Sequence, residues 1–330
     1  MKSSESYQRI LVVKLADLGD LLTATPALRA LRETFPQAQI DLLTTPGSRP
    51  LLEGSPLLDR LFTFDKFAYD RPTNALHPGS LVEALTLGRR LRRDHYNAVL
   101  ILHHLTTLWG TVKYRLLAAA TNAPVIAGLD NGRGSWLSHR VPDQGFGQRH
   151  EVEYWLAVAE TIGATTTDHR LEMVIRPADE DWARQQLATA QRDKSHEAPW
   201  VAIHPGSGRY SLARRWSPTQ FAQLADELME SGRARVVLVG TTADQVAQVR
   251  AAMRRPPPLN LEGRANLGQL AALLRRCHAF IGGDSGVMHI AVAAGTRVLA
   301  LFGPSNPHAW GPWAPAGRAA VVRLGLACSP

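Results

Sequence analysis

Four short stretches hold side chains able to move a proton or grip an anion, and each directly follows an apolar run. The first, Ala16-Asp17-Leu18-Gly19-Asp20, leads into a helical pattern. A carboxylate at Asp20 has two readings. It stabilises the helix start as a cap or first-turn acid, or it removes a proton from a hydroxyl brought against it. The second stretch, His204-Pro205-Gly206-Ser207-Gly208, precedes Arg214-Arg215-Trp216. Small residues such as Ser207 and Gly208 let a phosphate approach the backbone, and a guanidinium such as Arg215 can pair with it. The third, Gly240-Thr241-Thr242-Ala243-Asp244, contributes the hydroxyl of Thr241. The fourth is Gly282-Gly283-Asp284-Ser285-Gly286, with His289 one helical turn beyond Ser285. A glycine-rich turn into a helix aims unpaired N–H groups and the positive end of the dipole at an anion. An ordinary buried strand-to-helix turn without a ligand has the same appearance, so that alternative stays open.

Several chemistries lack their signatures. G-x-G-x-x-S is not the dinucleotide fingerprint, and no phosphate-loop lysine accompanies it. His103, His104 and His150 have no H-E-x-x-H spacing or carboxylate-rich cluster, so no metal is expected. Cys277 and Cys328 show no ligand spacing and fit a reducing compartment.

The elements that would position these turns alternate between strand and helix. Continuous apolar runs at 9–15, 40–43, 61–64, 98–103 and 125–128 read as buried parallel strands. Helical spacing fills 21–35, 81–93, 107–120 and 151–162, with Pro26 expected to kink the first. A second alternation follows a charged helix at 179–194: strands at 200–204, 236–240, 279–281, 297–302 and 318–323, with helices at 221–231, 243–254 and 287–294. Loops at 67–79 and 130–148 stand out as irregular. The alternation predicts α/β architecture with two doubly wound halves, 1–165 and 166–330. Ligands of such sheets bind beyond the C-terminal strand ends, so the turns are expected to face a cleft between the halves.

The bulk composition fits that picture. The chain has 330 residues, 45% hydrophobic and 20% charged, and a net charge of +8, which favours anionic partners. Arg92-Arg93, Arg254-Arg255 and Arg275-Arg276 fall where helices should end and complement the dipole there. No stretch interleaves basic and aromatic residues as a nucleic-acid groove does, so nucleic acid is not an expected partner. The polar N-terminus runs straight into a strand, and no apolar segment is free of charges over a membrane-spanning length. A cytoplasmic protein is expected, with peripheral contact at the inner membrane face still open to it.

Taken together, five stretches resemble glycosyltransferase family 9, the ADP-heptose:lipopolysaccharide heptosyltransferases. They are ILVVKLADLGDLLTATPALRALRETFP, RHEVEYWLAVAETIG, IHPGSGRYSLARRWSPTQFAQLADEL, VVLVGTTAD and FIGGDSGVMHIAVAAGTRVLALFGPSNPHAWGPW, in the family's order. The resemblance implies a GT-B fold: an acceptor-binding Rossmann-like domain at 1–165 and a nucleotide-sugar-binding one at 166–330. It implies an inverting, metal-independent glycosyltransferase without cofactor, moving a sugar, foremost heptose from ADP-heptose, to a glycan or glycolipid such as lipopolysaccharide core. By the same resemblance Asp20 is the catalytic base. Ser207, Gly208, Arg215, Thr241, Asp284, Ser285, Gly286 and His289 bind the donor, with Arg215 standing where the family carries a lysine. The chain ends at Ala327-Cys328-Ser329-Pro330, where many relatives continue. The alternatives are a sugar-nucleotide epimerase of the same two-domain plan and a non-catalytic nucleotide-sugar-binding protein.

Overall fold

A computed structural model describes residues 7–69, 72–75, 77–190, 198–208 and 211–326. Cys328, the chain end and the last four positions of the helix expected at 179–194 lie outside the described residues. The chain divides into two compact units, Met1–His169 and Arg170–Pro330.

The first unit begins with β1 (Arg9–Lys14), whose residues after Arg9 are all buried, as a strand covered on both faces requires. Then come α1 (Leu18–Leu22), α2 (Thr25–Thr34), β2 (Gln39–Thr44), β3 (Arg60–Thr63), α3 (Pro72–Ala75) and α4 (Pro78–Arg93). The remainder is β4 (Ala98–Ile101), α5 (Leu108–Thr121), β5 (Val125–Asp130), β6 (His139–Pro142) and α6 (Glu151–Glu160). All strand pairs are parallel, in the order β3-β2-β1-β4-β5-β6. That is the doubly wound order with its reversal between β1 and β4, where such sheets place ligands. Leu87 and Leu91 of α4 join Tyr114, Leu117 and Ala118 of α5 against Leu11, Val13, Val99 and Ile101, so both helices cover the same sheet face.

The second unit contains α7 (Pro177–Ala190), β7 (Trp200–His204), α8 (Pro218–Glu230), β8 (Arg235–Leu238), α9 (Val246–Ala252) and β9 (Leu259–Asn260). It continues with α10 (Leu267–Arg276), β10 (Ala279–Gly283), α11 (Gly286–Ala293), β11 (Arg297–Leu301), α12 (Pro307–Trp310) and β12 (Ala319–Val322). Its sheet, β12-β11-β10-β7-β8-β9, is again all parallel and reverses between β10 and β7. Both units therefore have the same strand order, as two doubly wound halves require.

Where expectation and structure differ, local geometry gives the reason. Pro26 does more than kink a helix over 21–35: it sits in the first turn of a separate α2, the one helical site where its missing N–H costs nothing. The segment 67–79, expected as loop, contains a 3₁₀ turn, α3 and the start of α4. There His77 caps α4 by accepting the Gly79 N–H at 3.3 Å. The helix expected over 243–254 is split, because Gln245 adopts φ +62° between a 3₁₀ turn at Thr242–Asp244 and α9. β6, inside the expected loop at 130–148, and β9 are too short to carry a periodic signal. At the end of α11, Gly295 takes φ +80°, as a residue closing a helix in the left-handed region does.

Candidate active site

In the second unit the predicted phosphate turns converge at the sheet's reversal. Ser285 caps α11, its hydroxyl accepting the Met288 N–H at 3.4 Å, and Asp284 lies buried beside it at the end of β10. Gly286 is the first residue of α11, and His289 lies buried on that helix. The loop after β7 folds over this turn: Arg214 Nη1 meets Asp284 Oδ2 at 2.9 Å. Arg215 Nε donates to Ser207 Oγ at 3.2 Å and its Nη2 to the Gly208 carbonyl at 3.4 Å, while Ser207 Oγ donates to the Ser211 carbonyl. Ser207, Gly208 and Arg215 thus form one hydrogen-bonded group. It is Arg214, however, that is tied to the Asp284 turn. Adjacent arginines are indistinguishable by charge; only the extended backbone at Arg215 decides which one faces β10.

Thr241 is held within its own turn. Its N–H and its hydroxyl both go to Asp244 Oδ2, each at 2.7 Å, closing its own 3₁₀ turn. Behind that turn lies a residue the sequence reading passed over. His204, the last residue of β7, has Nε2 3.6 Å from Asp244 Oδ2 and Nδ1 3.5 Å from Ser285 Oγ. Burial raises the Asp244 carboxyl, but His204 and the two Thr241 donors outweigh it and hold the group well below the usual carboxylate range. Gly206 is required by the same packing, because a Cβ there would overlap the Asp244 carboxylate. Gly206→Ala is therefore expected to destabilise the second unit by about 1–3 kcal/mol, the scale of an overpacked site. Urea unfolding checks this, and an unchanged midpoint would show that Asp244 has room to move.

In the first unit Asp20 occupies the first turn of α1, immediately after β1 and beside the reversal between β1 and β4. Asp17, at the N-cap position, makes no side-chain cap hydrogen bond. Among the described residues nothing donates a hydrogen bond to the Asp20 carboxylate, which is only partly buried. Its backbone, by contrast, is pinned. Thr23 Oγ1 donates to the Asp20 carbonyl at 2.8 Å, and Trp155 Nε1 of α6 donates to Thr23 Oγ1 at 3.1 Å. An acid whose main chain is fixed while its oxygens stay open suits a general base better than a helix cap.

Beneath this turn is a buried charge cluster. Lys14 Nζ stacks on the Trp155 ring, 3.7 Å from its centroid. His104 is clamped between Asp143 Oδ2 at 2.9 Å and Glu151 Oε1 at 3.0 Å. Burial works against the imidazolium, but the two carboxylates prevail and raise the His104 pKa. Neither His104 nor His150 is part of a metal cluster, and among the described residues no such cluster is found. Instead, His150 caps α6 by accepting the Val152 N–H at 3.2 Å.

Burial pulls the Lys14 ammonium from 10.5 down to about 8, although Asp20 and Glu151 both favour its charge. Below pH 8 the folded protein carries a charge it disfavours; between pH 8 and 10.5 only the unfolded chain holds the proton, so stability from this group rises with pH. Across that window wild type should gain about 3 kcal/mol relative to Lys14→Met, at 1.36 kcal/mol per pKa unit. Urea denaturation of both proteins from pH 7 to 10.5 measures it; parallel curves would contradict the buried charge.

Comparison with known proteins gives the family and the fold. Glycosyltransferase family 9 (heptosyltransferase) matches residues 84–330. Lipopolysaccharide heptosyltransferase 3 of Escherichia coli K12 is 28% identical over 311 residues, covering 89% of this chain and 82% of that protein. The crystal structure of a family 9 glycosyl transferase from Veillonella parvula superposes with a TM-score of 0.79 at 26% identity, covering 96% of this chain and 86% of the other. The structure of Escherichia coli ADP-heptose lps heptosyltransferase II gives 0.74 at 25% identity, covering 98% and 92%. These neighbours and the two doubly wound parallel sheets give the fold as GT-B, and the chain belongs to glycosyltransferase family 9.

Proposed function

We propose that this glycosyltransferase moves heptose from ADP-heptose to a hydroxyl of a lipopolysaccharide-core acceptor, with inversion and without a metal ion. Asp20 takes the proton of the acceptor hydroxyl as its oxygen bonds to the anomeric carbon. The bond from that carbon to the phosphate oxygen breaks, and the nucleoside diphosphate leaves with the electron pair. The leaving group's added negative charge falls to the start of α11 at Ser285 and Gly286 and to Arg214 and Arg215, preorganised donors of the kind that stabilise a transition state. His289 lies further along α11 for the sugar side of the donor, while Ser207 and Gly208 shape the phosphate turn. Thr241, engaged with Asp244, acts by holding the turn near His204.

The observation that carries this reading is that residues 206–208, Arg214 and Arg215 gather beside the 284–286 turn at the reversal of the second sheet, with Arg214 fixed on Asp284. The heptose and lipopolysaccharide assignments draw support from the names of the relatives. The test is calorimetric titration with ADP, UDP and GDP in the presence of a chelator, followed by product analysis with ADP-heptose, with and without acceptor. ADP binding that survives the chelator and donor consumption only with acceptor are expected. Donor turnover without acceptor would point to an epimerase, and a donor never consumed to a binding protein.

A further inference from the structure

We infer that the outer faces of α4 and α5 form a docking surface for an anionic lipid bilayer. At 100° per residue, the inward Leu87 and Leu91 of α4 lie opposite positions 82, 85, 89, 92 and 93, with 81 at the edge of that arc. Leu81, Val82 and Leu85 are 42%, 65% and 56% exposed. On α5, Leu108 and Leu116 are exposed at 74% and 64%, while Tyr114 and Ala118 face the sheet. The two helices pack side by side, Gly88 against Ala120, over one sheet face, so their outer arcs share one surface. Single exposed leucines are ordinary; five large aliphatics on two neighbouring helices are a patch.

The same arcs carry Arg89, Arg92, Arg93 and Arg115, none of which forms an ion pair among the described residues. Glu83, on the flank of α4, accepts a hydrogen bond from the Tyr69 hydroxyl at 3.0 Å. Dipole complementation accounts for Arg92 and Arg93 in the last turn of α4, yet not for Arg89, Arg115 or the aliphatics. Aliphatic side chains interleaved with arginines are the pattern of helices lying in a lipid interface. A protein-binding patch would favour an aromatic, charge-depleted centre; the one aromatic on the outer side of α5, Trp109, is half-buried and donates its Nε1 to the Tyr69 carbonyl at 2.9 Å. The charge commits the surface to anionic headgroups.

This deepens the proposed lipid-borne acceptor, and its test needs neither donor nor acceptor, so the two readings fail separately. The full chain is floated with phosphatidylglycerol vesicles and with phosphatidylcholine vesicles. Binding to phosphatidylglycerol at least about tenfold tighter, weakening with salt, is expected. Arg89→Glu with Arg92→Glu should weaken it by roughly 25-fold or more, at about fivefold per charge. Val82→Ser with Leu85→Ser should lower binding while the circular dichroism spectrum stays that of wild type. Equal binding to both lipids, no binding to either, or indifference to both variant pairs overturns the inference. So does a dimer in sedimentation that Val82→Ser with Leu85→Ser dissociates, since the face would then belong to a second copy.

Discussion

Asp20→Asn is expected to slow sugar transfer by about 10²–10⁴-fold, the usual range for a positioned proton transfer, while nucleoside diphosphate affinity stays at the wild-type level. The substitution keeps the side-chain shape. It removes only the capacity to take up a proton, and no hydrogen bond from the described residues to the carboxylate is lost. The Asp20 carbonyl remains held by Thr23, so the turn keeps its place. Because the donor turn lies in the other unit, calorimetry with ADP reads donor binding separately from chemistry. Initial rates should fall in kcat with little change in the donor KM. Wild-type turnover by the asparagine variant would remove Asp20 from the reaction and restore its reading as a first-turn acid.

The second large effect is expected at Arg214, not Arg215. Asp284 has a nearly buried side chain and lies 2.9 Å from the Arg214 guanidinium. Removing one partner of a buried pair strands the other charge, a loss of roughly 3–5 kcal/mol in well-buried cases. Arg214 retains some exposure, which places Arg214→Ala nearer the lower end, about 3 kcal/mol. The same change should weaken ADP binding by about 100-fold, because a cation and the geometry of the 284–286 turn are lost together. Arg215→Ala removes only hydrogen bonds to Ser207 and the Gly208 carbonyl, so it should weaken ADP binding with little loss of stability. Adding Asp284→Asn to Arg214→Ala separates the two effects. Stability should recover as the stranded charge disappears, while binding should not. If Arg215→Ala proved the more damaging of the two for stability, the roles of the neighbouring arginines would be reversed.

Both expectations rest on side chains whose surroundings differ in how readily they could be read. The apolar runs that became β1, β4, β7 and β10 are long, continuous and followed by glycine or acid, and burial on both faces of a parallel sheet leaves few other structures for them. Asp20 and the 282–286 turn were legible for the same reason: they stand where such strands end. Pro26, Gly295 and His150 are local devices, yet Pro26 and His150 took unexpected forms because helix starts depend on single hydrogen bonds. α10 ends at Arg276 and α4 at Arg93, as their paired arginines anticipated.

What the amino-acid order determined by itself was the alternation of strands and helices, and with it two doubly wound sheets whose loops after β1, β7, β8 and β10 hold the chemical groups. These are short-range consequences of hydrophobic period and turn chemistry. Tertiary structure alone decided which partner each group meets. It put Arg214 on Asp284 across 70 positions of chain, set His204 between Asp244 and Ser285, and gathered Lys14, His104, Asp143, Glu151 and Trp155 beneath Asp20. Those contacts join residues far apart in sequence, and their energies depend on burial and on distances of a few ångströms. Which distant side chain each group meets has no imprint on local periodicity.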